Sequence, residues 1–420
     1  GIFLINGINA HYEKMIQVPT AFNYFELSQQ FTFLKNSHEG YSLLRGTVFF
    51  AILAAAVLLP AEISFSAWFS WPIMVIATYV YYVQTGQRYT ALENNMIQMG
   101  ATLGMIAMIL YSGRNFYLTL LRQAFFLGGN SPRTQMQPSA DQPGLLGMVT
   151  KYIQTSSTGV VTLPRERRYA RLAIIAAIGV VLCLKWWGIP WDLAILWTLA
   201  SIIFMVIVAR LTAEMGLYWT PLMGIGPLAS IVMFFGDASL GVHTYALLVV
   251  VTSVLLPSPT AIVLLTPAVA HGLEVERKTA SHRHTAMAIL PFLLLAFVGG
   301  VIIHIWLGYS VSGETNDYYS RFLSSTSNSY LRFVSASPDA AATVSAAERW
   351  TNSTSRPGMW GFVGFGAALV IVTGAMRLRF PRFPFHPLPL VVLGTWVLSR
   401  FWLSFFLGWL VKKVILMIGG

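Results

Sequence analysis

Apolar runs of about 20 residues recur along this chain, and short polar or turn-rich stretches separate them. A run of that length crosses a hydrocarbon core of roughly 30 Å when it is helical. The pattern therefore predicts an all-α fold, a polytopic transmembrane helical bundle of about ten spans. The predicted spans are 43–59, 63–83, 90–111, 171–187, 193–211, 215–235, 242–265, 286–308, 358–376 and 388–411.

One of these runs, 215–235, is interrupted. An apolar helix leads into Arg210 and Glu214, and the run that follows contains Gly216, Pro221, Gly224, Gly226 and Pro227 before Asp237. Proline has no amide hydrogen, and irregular backbone at membrane depth persists only where it is buried in protein or lines a water-filled cavity. We therefore expect a broken or re-entrant helix here, which is the kind of segment that forms binding sites in transporters.

The same region supplies the candidate site residues. Arg210 and Glu214 are four residues apart, so they share a helix face and form either a binding pair or an interfacial pair at the helix end. Asp237 and His243 bind a proton or cation, or they belong to a polar turn. Ser258 lies between two prolines, in either a second broken helix or a plain kink. The candidate substrate- or ion-binding residues are Arg210, Glu214, Gly224, Gly226, Asp237, His243 and Ser258.

Composition and charge agree with a membrane protein. Hydrophobic residues make up 55% of the chain and charged residues 10%, against about 25% charged in soluble domains. The net charge of +11 does not indicate nucleic acid, because the basic residues lie beside the spans, as the positive-inside rule predicts. Loops 112–171, 266–285 and 377–387 are then cytoplasmic and 309–357 is external, while Lys412 and Lys413 go against the rule.

These patterns divide the chain into four parts. A polar and aromatic segment, 1–42, precedes a first membrane block, 43–111. A basic cytoplasmic linker with an amphipathic helix, 112–168, joins it to a second block, 169–420, which contains the external loop. The missing initiator Met and the end at Gly420, directly after an apolar run, indicate a piece of a longer protein.

Chemical motifs do not indicate an enzyme. The sequence has no Gly-x-Ser-x-Gly elbow, no His-Glu-x-x-His and no phosphate-binding glycine loop. Its single cysteine excludes an internal disulfide and a cysteine metal cluster. We predict no catalytic residues, no cofactor and no metal site.

Four short segments resemble a bacterial membrane family of unknown function that is distantly similar to the oligopeptide-transporter superfamily. They are Ile63-Ser-Phe-Ser-Ala-Trp-Phe69 after Pro60-Ala-Glu62, then Ala213-Glu-Met-Gly216, Phe385-His-Pro387, and Gly408-Trp-Leu-Val-Lys-Lys413. The resemblance covers roughly 40–420. It implies a polytopic helical carrier with broken or re-entrant helices, and it points to the segment around Glu214 for transport.

Two functions follow as expectations. The first is a secondary transporter of the oligopeptide-transporter-like type in the bacterial inner membrane. It would carry a small polar solute or peptide and be coupled to protons. The alternative is a non-catalytic structural subunit that packs against other membrane subunits in a larger assembly. In either case the lipid bilayer is a partner, and nucleic acid is not.

Overall fold

The computed structural model describes residues 21–24, 26, 30–37, 40–115, 117–119, 164–215, 226–236, 240–255, 295, 298–299, 302, 345–351, 357–380 and 383–419. Helices dominate these ranges, which confirms the all-α class. The helices are α1 Thr32–Asn36, α2 Phe50–Leu58, α3 Ala61–Thr85, α4 Ala91–Ser112, α5 Pro164–Trp186, α6 Trp191–Met215, α7 Pro227–Phe235, α8 Val242–Leu255, α9 Ala346–Thr351, α10 Pro357–Arg379, α11 Pro387–Val391 and α12 Trp396–Gly419.

A small two-stranded sheet adds the β-structure found in the described residues. Strands β1, Ala21–Asn23, and β2, Arg45–Thr47, pair antiparallel with Phe22 opposite Gly46. A 3-10 turn, Gly40–Leu43, leads into β2. The sequence did not predict this sheet, because each strand has three residues and neither carries an alternating pattern long enough to recognise.

Five described helices are long and apolar enough to cross a bilayer, which is typical of an integral membrane protein. They are Ala61–Thr85, Leu92–Ser112, Trp191–Leu211, Trp360–Arg379 and Val397–Gly419. Each overlaps one of the ten predicted spans. The count of ten is not confirmed, because most of 286–308 and the end of 242–265 lie outside the described residues.

The first predicted span, 43–59, does not form one helix. Its opening residues belong to β2, and the rest form the nine-residue helix α2, which Pro60 follows. Nine residues span about 13 Å at 1.5 Å per residue, less than half of a hydrocarbon core. Apolar composition alone did not reveal that this run is divided between a strand and a short helix.

The predicted interruption after α6 is present in its described part. Helix α6 ends at Met215, and α7 begins at Pro227. Between them Gly226 has φ −59° and ψ 159°, which is not helical. No single helix therefore runs from 216 to 236, although 216–225 lie outside the described residues.

The chain forms two compact units: one of 1–105 and 199–420, the other of 106–198. In the second unit, α5 ends beside a tight turn in which Gly188 has φ 96°. Lys185 there lies over the Trp191 ring, 5.7 Å from its centroid. The division into two membrane blocks and a linker stays a prediction, since most of the linker lies outside the described residues.

In the first unit, α4 and α10 cross at glycines. A Cβ built on Gly100 would lie 1.9 Å from the Val363 carbonyl oxygen, and one on Gly366 would lie 2.1 Å from that of Ile97. Gly104 is similarly close to Ala367. Backbones approach this closely in membranes when small residues line the interface, and Gly100-x-x-x-Gly104 is such a pattern.

The chain from Phe385 to the middle of α12 leaves and returns to the same part of α3. The Phe65 ring contacts Phe385 before α11 and Trp409 near the middle of α12, each with a centroid distance of 5.7 Å. Farther along α12, the Lys412 Nζ donates to the Leu59 carbonyl, just before α3 begins. This part of α12 therefore lies at the end of α3 that Phe385 also contacts.

This return predicts the membrane side of Lys413. In a Cys183→Ser background, Arg379→Cys and Lys413→Cys are expected to react with an impermeant maleimide from one side of the membrane. Gln87→Cys should react from the other side, because the 25-residue helix α3 separates them by about 37 Å. All three side chains are exposed. Labelling of 379 and 413 from opposite sides would contradict the return.

Candidate functional site

The last turn of α6 carries an ion pair. The Arg210 Nε contacts the Glu214 Oε1, as their spacing of four residues predicts. The two side chains are 52% and 27% exposed, so the pair is only partly shielded from solvent. This makes it weaker than the fully buried pair that an apolar helix end would suggest.

Glu214 also faces a histidine from a distant part of the chain. The His386 Nε2 lies 4.0 Å from Glu214 Oε2, which is longer than a hydrogen bond. The His386 Nδ1 accepts a hydrogen bond from the Leu388 backbone N–H at 3.2 Å. A neutral His386 therefore carries its proton on Nε2, directed toward the carboxylate.

A serine of α3 fixes the position of His386. The Ser66 Oγ accepts from the His386 backbone N–H at 2.7 Å. The same hydroxyl lies 2.6 Å from the Glu62 carbonyl oxygen and 3.2 Å from that of Pro384. Ser66 is fully buried, so one side chain ties the first turn of α3 to the segment before α11.

A second ion pair joins α10 to the first turn of α3. The Arg377 Nη2, in the last turn of α10, is 3.6 Å from the Glu62 Oε2, in the first turn of α3. The other terminal nitrogen of this guanidinium, Nη1, is buried and has no hydrogen-bond partner in the described part of the chain. We call Glu62, Arg210, Glu214, Arg377 and His386 the charge cluster.

The charge cluster changes the protonation of His386. Burial lowers the pKa of His386 to about 4, and the positive charges of Arg377 and Arg210 add to the effect. Burial penalises the imidazolium because the charged form loses its hydration, and both arginines repel it. His386 is therefore neutral at pH 7 and takes up a proton only in acid.

Acidification is expected to destabilise the protein through His386. The unfolded chain binds this proton at its ordinary pKa of 6.5, whereas the folded chain binds it only near 4. The contribution of His386 to stability is therefore complete above about pH 6.5 and is lost as the pH falls toward 4. The melting temperature of the protein in detergent, recorded between pH 7 and 4, measures this contribution.

A matched pair of variants isolates this contribution. His386→Asn should flatten the pH dependence of the melting temperature in that interval. His243→Asn, which alters an exposed imidazole at the start of α8, should leave it as in the wild type. Identical pH profiles for the wild type and His386→Asn would show that His386 is not the group responsible.

Aromatic rings pack beside the charge cluster. Phe65 stacks on Phe69 with a centroid distance of 5.1 Å and contacts Phe385 and Trp409. Trp68 extends this packing toward α12, and its indole N–H is buried without a partner among the described residues. The rings give the cluster a low-dielectric neighbour, which strengthens its charge interactions.

The four segments that carried the family resemblance converge at this place. Glu62 and the α3 aromatics come from the first segment and Glu214 from the second. His386 comes from the third, and Trp409 with Lys412 from the fourth. Contacts between residues 172 to 353 positions apart bring them together.

The other predicted site residues do not join the cluster in the described structure. His243 is exposed and, within the described residues, pairs with neither Arg210 nor Glu214. Gly226 caps α7 and faces open space. Gly224, Asp237 and Ser258 lie outside the described residues. The predicted roles of these residues remain predictions.

The sequence alone did not indicate His386 and Arg377 as site residues. Arg377 lies in the last turn of α10 and His386 lies in the segment after it, a basic region where positive charge is ordinary beside a membrane span. Phe385-His386-Pro387 stood out only as part of the resemblance. The sequence showed only that a single histidine stands directly before a helix that begins Pro387-Leu-Pro389. That position does not reveal which residues the histidine contacts.

Acidic and histidine side chains do not form a metal site in the described ranges, where no group of three or more His, Cys, Asp or Glu is placed to hold an ion. The five residues of the charge cluster also balance in charge when His386 is neutral, with two arginines against two glutamates. The arrangement is suited to moving a proton or rearranging an ion pair.

Comparison with known proteins gives one match. A protein-family model, described as a family of unknown function, DUF6785, matches residues 1–420. The chain belongs to DUF6785. The match covers the whole printed sequence and agrees with the expectation of a family of unknown function. No link from this DUF6785 chain to oligopeptide transporters is shown.

No curated protein and no solved structure matches this DUF6785 chain. The function therefore has to be argued from the charge cluster and its surroundings.

Proposed function

We propose that this DUF6785 protein is a proton-coupled secondary transporter of the bacterial inner membrane, similar in type to oligopeptide transporters. It would have about ten spans and carry a small polar solute or peptide. The observation that supports this most is the position of Glu214. Its carboxylate lies at the end of a candidate membrane span, paired with Arg210 and facing His386.

Glu214 has two alternative partners, which is what a proton-driven switch requires. With His386 neutral, the carboxylate pairs with Arg210. Protonation of His386 would create a second cation 4.0 Å from the same carboxylate, and protonation of Glu214 would release Arg210 altogether. A proton can therefore bias two arrangements of one site, and a solute that prefers one arrangement shifts the balance.

The interrupted backbone after α6 supports the same proposal. Glu214 lies in the last described turn of α6, and the backbone is non-helical at Gly226. Carriers place broken helices beside their binding sites because the freed backbone groups can bind ions or polar solutes. Glu214 lies 12 residues before this interruption at Gly226, so a change in its ion pair can act on the segment that follows α6.

The test is solute-dependent proton movement. Purified protein is reconstituted into liposomes that contain a pH-sensitive dye, and pools of dipeptides and of amino acids are added at an imposed pH gradient. We expect lumenal acidification that depends on the added solute and is absent from empty liposomes. Protein-containing liposomes that show no solute-dependent proton flux with any pool would contradict the proposal.

A second candidate function, a non-catalytic structural subunit of a larger membrane assembly, is favoured by a different observation. The two arginines and the two glutamates of the charge cluster form two ion pairs in the structure, as a structural role requires. Gly361 and Gly364 of α10 face open space on a helix whose other side packs at Gly366. Proton flux from the purified chain alone favours the transporter over this candidate.

A further inference from the structure

Three polar side chains lie in a row on α4. Asn94, Gln98 and Thr102 are spaced by four residues, so they share one helix face. They are 5%, 2% and 4% exposed, although α4 is one of the helices apolar enough to cross the membrane. This polar row is independent of the charge cluster, none of whose residues belongs to α4.

In the side-chain amides of the polar row, the nitrogens have hydrogen-bond partners and the oxygens do not. The Asn94 Nδ2 donates to the Gly394 carbonyl at 2.9 Å, and the Gln98 Nε2 donates to the Leu393 carbonyl at 3.2 Å. The Asn94 Oδ1, Gln98 Oε1 and Thr102 Oγ1 are buried and have no partner in the described structure. Buried acceptors without a donor are costly and rare in native proteins, so three on one face indicate a missing partner, either water or a cation.

The polar row faces a broken helix. Helix α11 ends at Val391 and α12 begins at Trp396, and Gly394 between them has φ 76°. A Cβ on Gly394 would lie 1.9 Å from the Asn94 Oδ1, so the Asn94 side chain lies directly against the unwound backbone here. Unwound backbone between two helices supplies cation ligands in membrane carriers.

From this geometry we propose that the polar row and the α11–α12 break bind a monovalent metal cation, Na⁺. The ligands are the amide oxygens of Asn94 and Gln98. The backbones of these residues are one helical turn apart, about 6 Å along the helix axis, so their flexible side chains can converge on one ion. Thr102 is one turn farther along α4, so its hydroxyl is the next oxygen of the polar row. Neutral oxygens without a carboxylate match a single positive charge better than a divalent ion, which usually takes carboxylates.

The site does not depend on proton coupling at Glu214, because a chain that transports nothing would still bind the ion. Its test is therefore binding. Melting temperatures of the purified full chain in detergent are compared in NaCl, KCl and choline chloride at equal ionic strength. A ligand that binds only the folded state raises the melting temperature, and we expect a rise of ~2 °C or more in NaCl over choline chloride.

Variants assign the effect to the polar row. Gln98→Met keeps the length of the side chain but removes its oxygen, and the NaCl-specific rise should disappear. Thr78→Val, a buried hydroxyl on α3, is the matched control and should retain it. If Gln98→Met does not fold, Asn94→Asp adds a negative ligand at the same place and should enlarge the rise.

Each outcome decides the proposal. A rise that is larger in NaCl than in KCl or choline chloride and is lost in Gln98→Met supports the proposal, and a rise specific to KCl would contradict the assignment to Na⁺. Equal melting temperatures in all three salts would show that water fills the row, and this would overturn it. A rise that persists in Gln98→Met would place the cation elsewhere.

Discussion

Replacing Glu214 by Gln is expected to reduce solute-dependent proton flux by on the order of tenfold or more, which corresponds to about 1.4 kcal/mol or more. Gln keeps the shape of the side chain but carries no charge and no titratable proton. Arg210 and His386 then lose the carboxylate they share, so protons no longer bias the site. Proton flux in liposomes measures the effect of this substitution, and size-exclusion profiles show whether the variant is folded.

The matched control for Glu214→Gln is Glu348→Gln. Glu348 is an exposed carboxylate that caps α9, where its side chain accepts from the Ser345 N–H at 2.9 Å. This hydrogen bond lowers the pKa of Glu348. Removing its charge should leave the flux unchanged. Full flux in Glu214→Gln would instead favour the structural-subunit function.

A double-variant cycle tests whether Glu214 and Arg210 act together. Arg210→Ala leaves Glu214 without its ion-pair partner, and Glu214→Gln in the same chain should restore part of the lost stability. A fully buried pair would cost roughly 3–5 kcal/mol to break, but Arg210 is half exposed and solvent screens the pair. We therefore expect a coupling of about 1 kcal/mol or less. Strictly additive effects on both stability and flux would show that the residues act independently.

Gly366→Ala is expected to cause the largest loss of stability among single methyl additions to α10. The new Cβ would lie 2.1 Å from the Ile97 carbonyl oxygen and 3.0 Å from the Ala101 nitrogen, which are backbone atoms and cannot turn aside. The two helices must separate, at a cost of about 1–3 kcal/mol or more. Unfolding of purified protein by heat or SDS measures the change.

Gly364→Ala is the control on the same helix. Nothing lies within 4 Å of the position its Cβ would take. Because alanine favours helix by up to about 1 kcal/mol over glycine, this variant should be neutral or slightly more stable. Equal losses for both variants would show that the close approach of α4 and α10 is not what limits stability.

Hydropathy was sufficient to predict the helices that are apolar over a full membrane thickness. The predicted runs 63–83, 90–111, 193–211 and 358–376 overlap α3, α4, α6 and α10 within a few residues. The pairing of Arg210 with Glu214 was also predictable, since it depends on a spacing within one helix. These features are local, so a single sequence contains the information that determines them.

Features that depend on distant contacts could not be predicted in this way. His386 meets Glu214 because Ser66 holds the chain before α11, and the donor and acceptor of that hydrogen bond are 320 residues apart. The run 388–411 is mostly apolar, yet its helix is broken around Gly394. A continuous helix and a helix with such a break have the same hydropathy. The carbonyls at the break accept hydrogen bonds from buried amides of α4, and this contact is not visible in the sequence.

The return of α12 to α3 has a consequence for the timing of biosynthesis. Helices α2 and α3 emerge early from the ribosome, whereas Lys412, which donates to the Leu59 carbonyl, is made 353 residues later. At 5–20 residues per second, the aromatic side of α3 waits roughly 20 to 70 seconds for its covering helix. Newly made chains are therefore most open to degradation or to chaperone binding at this surface, until translation has passed Trp409.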